Sequence, residues 1–174
     1  MKKIFSAFLI FGCVVYAASE NLPIKGKQAG SEIFLRWAVT DVGIWRKAQQ
    51  RGFLVERFSM EKVLWNGQVR NDFVRDKSWT VQPHSINDTA AWLALENDDA
   101  VMLTAQTLVQ GVDMHNDTLS YIMAMLACDR SFTAARMAGF GLKDTLPSGT
   151  NPLEMQKYFY RISLQGTEIF GEWK

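Results

Sequence analysis

The chain has 174 residues and a formal net charge of +1, long enough for one domain with a real core. Its charge is too balanced for the basic patch that neutralises nucleic-acid phosphates. Two cysteines, Cys13 and Cys128, are present, and only the second lies outside the N-terminal leader, so no intrachain disulfide is expected.

The leader comes first. Met1-Lys2-Lys3 is a short positive region, Ile4 to Val15 is a nearly unbroken apolar run, and Val15-Tyr16-Ala17 precedes Ala18. This is the pattern of a secretory signal peptide, with cleavage expected after Ala17. The run falls short of the roughly 20 residues that span a bilayer as a helix, so no retained membrane span is expected. Ile10-Phe11-Gly12-Cys13 loosely resembles a lipobox, which leaves lipidation at Cys13 as the lesser alternative. Loss of residues 1–17 removes Lys2 and Lys3 and no acid, taking the charge from +1 to −1.

After a polar stretch with Pro23 and Gly26, Glu32 to Ala38 alternates as a strand, with Ile33, Leu35 and Trp37 on one face and Glu32, Phe34 and Arg36 on the other. Thr40 to Arg51 reads as a short helix or turn stopped by Gly52 and suits a loop at one end of a sandwich. Gly52 to Phe58 is a second strand, and Lys77 to Val81 a third, edge-like one stopped by Pro83.

From Ile86 the period changes. Helices are expected through Thr89 to Gln110, broken near Asn97-Asp98-Asp99, then from Asp117 or Thr118, and then from a Ser131 cap to Ala138. They form a block over about 86–139. Cys128 lies in an apolar helical pattern and is expected to be a buried, inert thiol. Strand chemistry resumes at Gly141, continues in Tyr158 to Ile162, and ends with a Gln165-Gly166-Thr167 turn into Glu168 to Trp173.

Ile33-Phe34-Leu35-Arg36-Trp37, Gly52 to Phe58, Leu142-Lys143-Asp144 and Tyr158-Phe159-Tyr160-Arg161-Ile162 together resemble a fibronectin type III domain of the kind found in large exported proteins of Bacteroidetes-type bacteria. The resemblance implies an antiparallel β-sandwich, mainly β, here carrying an α insertion. It implies that Trp37 fills the space between sheets, that Tyr158 makes the tyrosine corner with its hydroxyl bonded to upstream backbone, and that Asp144 belongs to the turn before that strand. The helical block departs from the ordinary seven-strand spacing. The chain stops at Lys174, where a last strand should be finishing, which leaves open both a piece of a longer protein and a single-domain product. Asp88-Thr89, Asp117-Thr118 and Asp144-Thr145, each followed by an apolar residue, resemble O-glycosylation triplets of that group, although helix capping explains two of them.

Chemistry-bearing clusters are sparse. Asp113-Met114-His115-Asn116-Asp117 lacks the glycine and trailing glutamate of a calcium loop and the His and Cys of a zinc site. Neither a metal nor a cofactor is expected. His84 has no nucleophile in a recognisable motif, and Glu96 with Asp98 and Asp99 reads as helix-breaking acids. The aromatics carry the functional expectation. Trp45, Trp65, Trp79 and Trp92 fall outside the clearest core strands, and exposed tryptophans anchor protein partners or stack on sugars. Trp92 is expected to pack the helical block, and Trp45, Trp65, Trp79 and the flexible Met114 to contact a partner. The expected partner surface joins the Trp45 loop to the free face of the helical block, which is rich in methionine at Met102, Met114, Met123 and Met125. The expected function is non-catalytic: a periplasmic, cell-surface or secreted module binding a protein or glycan of the cell envelope. The alternatives are a carbohydrate-binding accessory domain, if Trp45, Trp65 and Trp79 form one exposed strip, and a small envelope hydrolase using Glu96 or Asp99.

Overall fold

The computed structural model describes residues 22–85, 87–88, 90, 92, 99–110, 117–147 and 158–173, with the backbone alone at 100, 106–110 and 117. The proposed leader with Cys13, and also Thr89, Glu96, Asp98 and Met114, lie outside the described residues.

Among the described residues, seven strands form two antiparallel sheets. The first holds β1 (Ile24–Ala29), β2 (Glu32–Trp37) and β5 (Gly141–Thr145), in the order β1-β2-β5. The second holds β3 (Phe53–Trp65), β4 (Gln68–Val81), β6 (Tyr158–Leu164) and β7 (Phe170–Trp173), in the order β4-β3-β6-β7. Helix α1 (Val42–Arg51) links β2 to β3, while α2 (Asp99–Gln110), α3 (Asp117–Arg130) and α4 (Phe132–Met137) lie between β4 and β5.

Alternation in β2 does what apolar periodicity dictates. Ile33, Leu35 and Trp37 are buried and their even-numbered neighbours are half-exposed. Phe53, Val55 and Arg57 do the same in β3. These inward faces meet in one core with Tyr160, Ile162 and Leu164 of β6. Trp37 meets Phe53 of the opposite sheet edge to face, with centroids 5.5 Å apart, and Phe53 meets Phe140 in the same way at 5.4 Å.

The sheets are also joined along one side. The Leu22 N–H donates to the Phe170 carbonyl at 2.9 Å, and the Trp173 ring lies over Gly26, where a side chain on β1 would collide with it.

The helices attach through α3. Ala124 and Cys128 enter the main core, as does Ala135 of α4, while Trp92, Val101, Ala127, Ala134 and Met137 form a second, smaller cluster inside the block. The Ser131 hydroxyl caps α4 by accepting from the Ala134 N–H at 3.2 Å. Arg36 on β2 donates to the Cys128 and Asp129 carbonyls at 2.8 and 2.6 Å, supplying positive charge and donors where the last turn of α3 leaves carbonyls unpaired. Lys25 holds the Asp129 carboxylate at 3.0 Å, and together with Arg36 keeps its pKa below the ordinary value. Lys25 and Arg36, which line a cleft beside Phe34 and Phe132, are thus struts that tie the helical block to the first sheet.

Three expectations change at this level. The polar stretch after Pro23 is the edge strand β1. The strands read as Gly52 to Phe58 and Lys77 to Val81 are the inner parts of one long hairpin. The last strand begins at Phe170 and not at Glu168.

Candidate interaction surface

The hairpin outgrows its sheet. β6 pairs with β3 only from Phe53 to Ser59, whereas β4 follows β3 all the way to Trp65 and Gln68. Residues 60–65 and their partners therefore project as a two-stranded ribbon of roughly 20 Å, at about 3.3 Å per residue. Asn66 and Gly67 close its tip with φ values of 49° and 77°, the two positive angles of a tight turn whose twist matches the strands.

A clamp with a buried centre sits where the ribbon leaves the sheet. The pairing register shifts between Arg57 and Phe58, making Asp76 the extra residue of a bulge. The bulge aims the Asp76 carboxylate at Arg57, which holds it through Nε at 3.0 Å and Nη2 at 2.8 Å. Arg57 Nη1 reaches across to Asp144 of the other sheet at 2.7 Å, and the Tyr160 hydroxyl donates to the same Asp144 oxygen at 2.8 Å. Lys77 Nζ faces the second Asp144 oxygen at 3.5 Å, an ion pair without hydrogen-bond geometry. Burial alone would lower the Arg57 pKa, but the hydrogen bonds and charges of Asp76 and Asp144 outweigh it and hold it above its ordinary value. Burial and the Asp144 hydrogen bond raise the Tyr160 hydroxyl, so it stays a donor.

At the free end, Leu64 is 73% exposed, Val69 68% and Trp65 57%. The Arg70 guanidinium stacks 4.5 Å from the Trp65 ring, so the indole is held in place on a wet surface. Farther down the ribbon, Met60 and Phe73 are also exposed, and Phe73 meets Phe159 edge to face at 5.1 Å. Apolar side chains thus run along the ribbon from its root to its tip.

The expected site residues scatter. Trp45 is not a surface residue. It is 2% exposed, because α1 lays Ile44, Trp45 and Ala48 against the core, and its ring lies 6.4 Å from Tyr121 of α3. Trp79 is half-buried at the core margin with Lys77 Nζ 4.7 Å from its ring. Trp65 is the one that stands free. It pairs with Gln68 while Trp79 pairs with Val55, so the length of the ribbon separates the two and no strip forms from Trp45, Trp65 and Trp79.

Trp92 is buried and donates from its indole N–H to the Ser85 carbonyl at 3.0 Å. Tyr158 is half-buried, with Arg57 5.2 Å over its ring. The fully buried tyrosine is Tyr160, two residues on and facing the same way. The upstream segment that a Tyr158 corner would bond, 148–157, lies outside the described residues. Asp144 is buried in β5 as the anion of the clamp rather than in a turn. Thr118 and Thr145 are exposed, as is Asp99 at the start of α2. The helical block does present an apolar stripe, Leu119, Ile122 and Leu126 on α3, with Met102 of α2 also exposed.

Sequence reasoning missed Arg57, Asp76 and Tyr160 as a unit, and also Leu64, Val69 and Arg70. The Asn66-Gly67 pair was the available signal for a hairpin there. Among the described residues no group of three or more His, Cys, Asp or Glu could hold a metal ion, and no helix is long and apolar enough to cross a membrane. No protein-family model, curated protein or solved structure matches the chain.

Proposed function

We propose that the chain is an exported, non-catalytic interaction module with a fibronectin type III-like sandwich as its scaffold and the β3–β4 ribbon as its contact arm. Seven strands in two antiparallel sheets around one core support the scaffold reading, and the leader pattern, with cleavage after Ala17, supports export to the periplasm, cell surface or medium. The observation that carries the function is the exposed Leu64, Trp65 and Val69 tip on a ribbon anchored by an ion cluster whose Arg57 and Asp144 are buried. Rigid aromatic and arginine side chains are the residue types that dominate protein–protein affinity. A protein of the cell envelope is the partner this arm suits. The glycan alternative loses its motivating feature, because the three tryptophans do not form one strip.

The test compares wild type with Trp65→Ala as immobilised baits for envelope extract. Trp65 lies outside the core, so the substitution should leave the denaturation midpoint within about 0.5 kcal/mol of wild type while abolishing capture of the specific partner. Equal capture by both baits would refute the arm as the contact surface.

A further inference from the structure

We propose that β4 is a self-pairing edge, joining a second copy of the chain through an antiparallel β4–β4 ladder centred on Asn71. This edge adjoins the Trp65 contact and shares Val69 and Arg70 with it, but its test reads self-association of the purified chain and not partner capture.

The argument begins with which backbone groups are free. β4 is the terminal strand of its sheet, and among the described residues no strand pairs with its outer side. The two-residue turn makes Trp65 and Gln68 a hydrogen-bonded pair, and antiparallel pairs alternate from there. Gln68, Arg70, Asp72 and Val74 therefore spend their backbone groups on β3, while Val69, Asn71 and Phe73 direct theirs outward, where the Phe73 N–H donates to the Asp72 carboxylate at 2.9 Å and would exchange that acceptor for a carbonyl of the second copy. Edge strands are usually protected from such pairing by bulges, lysine or proline. In β4 the bulge and lysine come only at Asp76 and Lys77, and over residues 68–74 the edge carries only the opposite charges of Arg70 and Asp72.

The side chains then select one partner and one register. About a two-fold axis at Asn71, Arg70 faces the second copy's Asp72, Asp72 faces its Arg70, and Val69 faces its Phe73. Opposite charges meet on one face and apolar side chains on the other, both pairings that stabilise a sheet. Moving the axis one residue either way sets Arg70 against Arg70 or Asp72 against Asp72, which destabilises it. In the single chain Arg70 and Asp72 pair with each other at 2.7 Å and both stay about half exposed, so this exposed pair can be exchanged across the edge, with the Phe73 N–H to Asp72 bond and the Arg70 stack on Trp65 displaced or kept alongside it. Val69 and Phe73 share the outer ribbon face with Leu64 and Met60, and pairing would extend that apolar strip across both copies. The pattern is self-complementary, as an isologous interface requires.

Sedimentation equilibrium on the purified protein tests this with two charge reversals, Arg70→Asp and Asp72→Arg. Wild type should dimerise reversibly. Each variant alone should self-associate at least about tenfold more weakly, since like charges replace both cross-strand pairs. An equimolar mixture of the two should dimerise as wild type does, because one chain then presents two acids where the other presents two bases. That recovery also shows that both variants are folded. A monomeric wild type at all accessible concentrations, single variants that associate as tightly as wild type, or a mixture no tighter than its components would each overturn the proposal.

Discussion

Asp144 is the residue on which the two sheets most depend electrostatically. It is fully buried, accepts from Arg57 and Tyr160, and belongs to the sheet opposite both. Replacing Asp144 by an apolar residue leaves Arg57 paired with Asp76 but strips its Nη1 and the buried Tyr160 hydroxyl of their acceptor, at a cost of about 1–3 kcal/mol for each group left unsatisfied. Asp144→Leu should therefore lower the unfolding free energy from urea titration by that amount, and Tyr160→Phe with Asp144→Leu, which removes the stranded hydroxyl, should recover part of the loss. A double variant less stable than Asp144→Leu would contradict this account. Cys128 is a second buried residue with a measurable signature. Burial pushes its thiol from 9.0 up to about 12, so the unfolded chain loses the proton at lower pH than the folded one. Its stabilising contribution is intact below pH 9 and lost as pH rises from 9 towards 12, by at most about 1.4 kcal/mol per pH unit. Wild type should thus lose more stability over this interval than Cys128→Ala, and the folded thiol should resist labelling until denaturant is added.

At the scale of elements, the seam between β1 and β7 depends on an absent side chain. The Trp173 ring occupies the space over Gly26 and tilts against Tyr160 at 5.9 Å. Gly26→Val should force the indole out and cost about 1–3 kcal/mol, as overpacking does, and Trp173 fluorescence should report the displacement; an unchanged midpoint would show that the seam yields freely. Legibility in the sequence followed burial. β2 could be read because one face is buried along its whole length, so Ile33, Leu35 and Trp37 recur every second residue. β1 could not, because an edge strand of Lys25, Gly26, Lys27 and Gln28 has almost no apolar face to betray it. The outer half of the hairpin was lost for a related reason. With both faces wet, nothing selects an apolar period over residues 60–74, and only its turn residues carry a signal. Trp45 was misplaced because the short helix or turn over residues 40–51 was set at one end of the sandwich, away from the core, whereas Ile44, Trp45 and Ala48 have the spacing of one helical face that packs inward. The clamp was illegible because it joins residues from four strands, and no local pattern announces a bulge that turns Asp76 inward.

On the scale of the whole molecule, rigidity and exposure are separated. The two sheets and α3 share one core, while the exposed apolar side chains concentrate on the ribbon and on the stripe of α3. The helical block that separates β4 from β5 in sequence also imposes an order of events on folding. The β3–β4 hairpin needs only its own turn, a microsecond process in isolated hairpins. The Arg57 to Asp144 contact joins residues 87 apart, and β2 waits for β5 across a still longer stretch of chain. Contacts of such separation close late, since the entropy of the intervening chain must be overcome first. Until then β2 has an open flank and Arg57 has Asp76 as its one anion from the clamp, so the arm is complete before the body that carries it, and the nascent chain passes through a stage in which the ribbon is its most finished part.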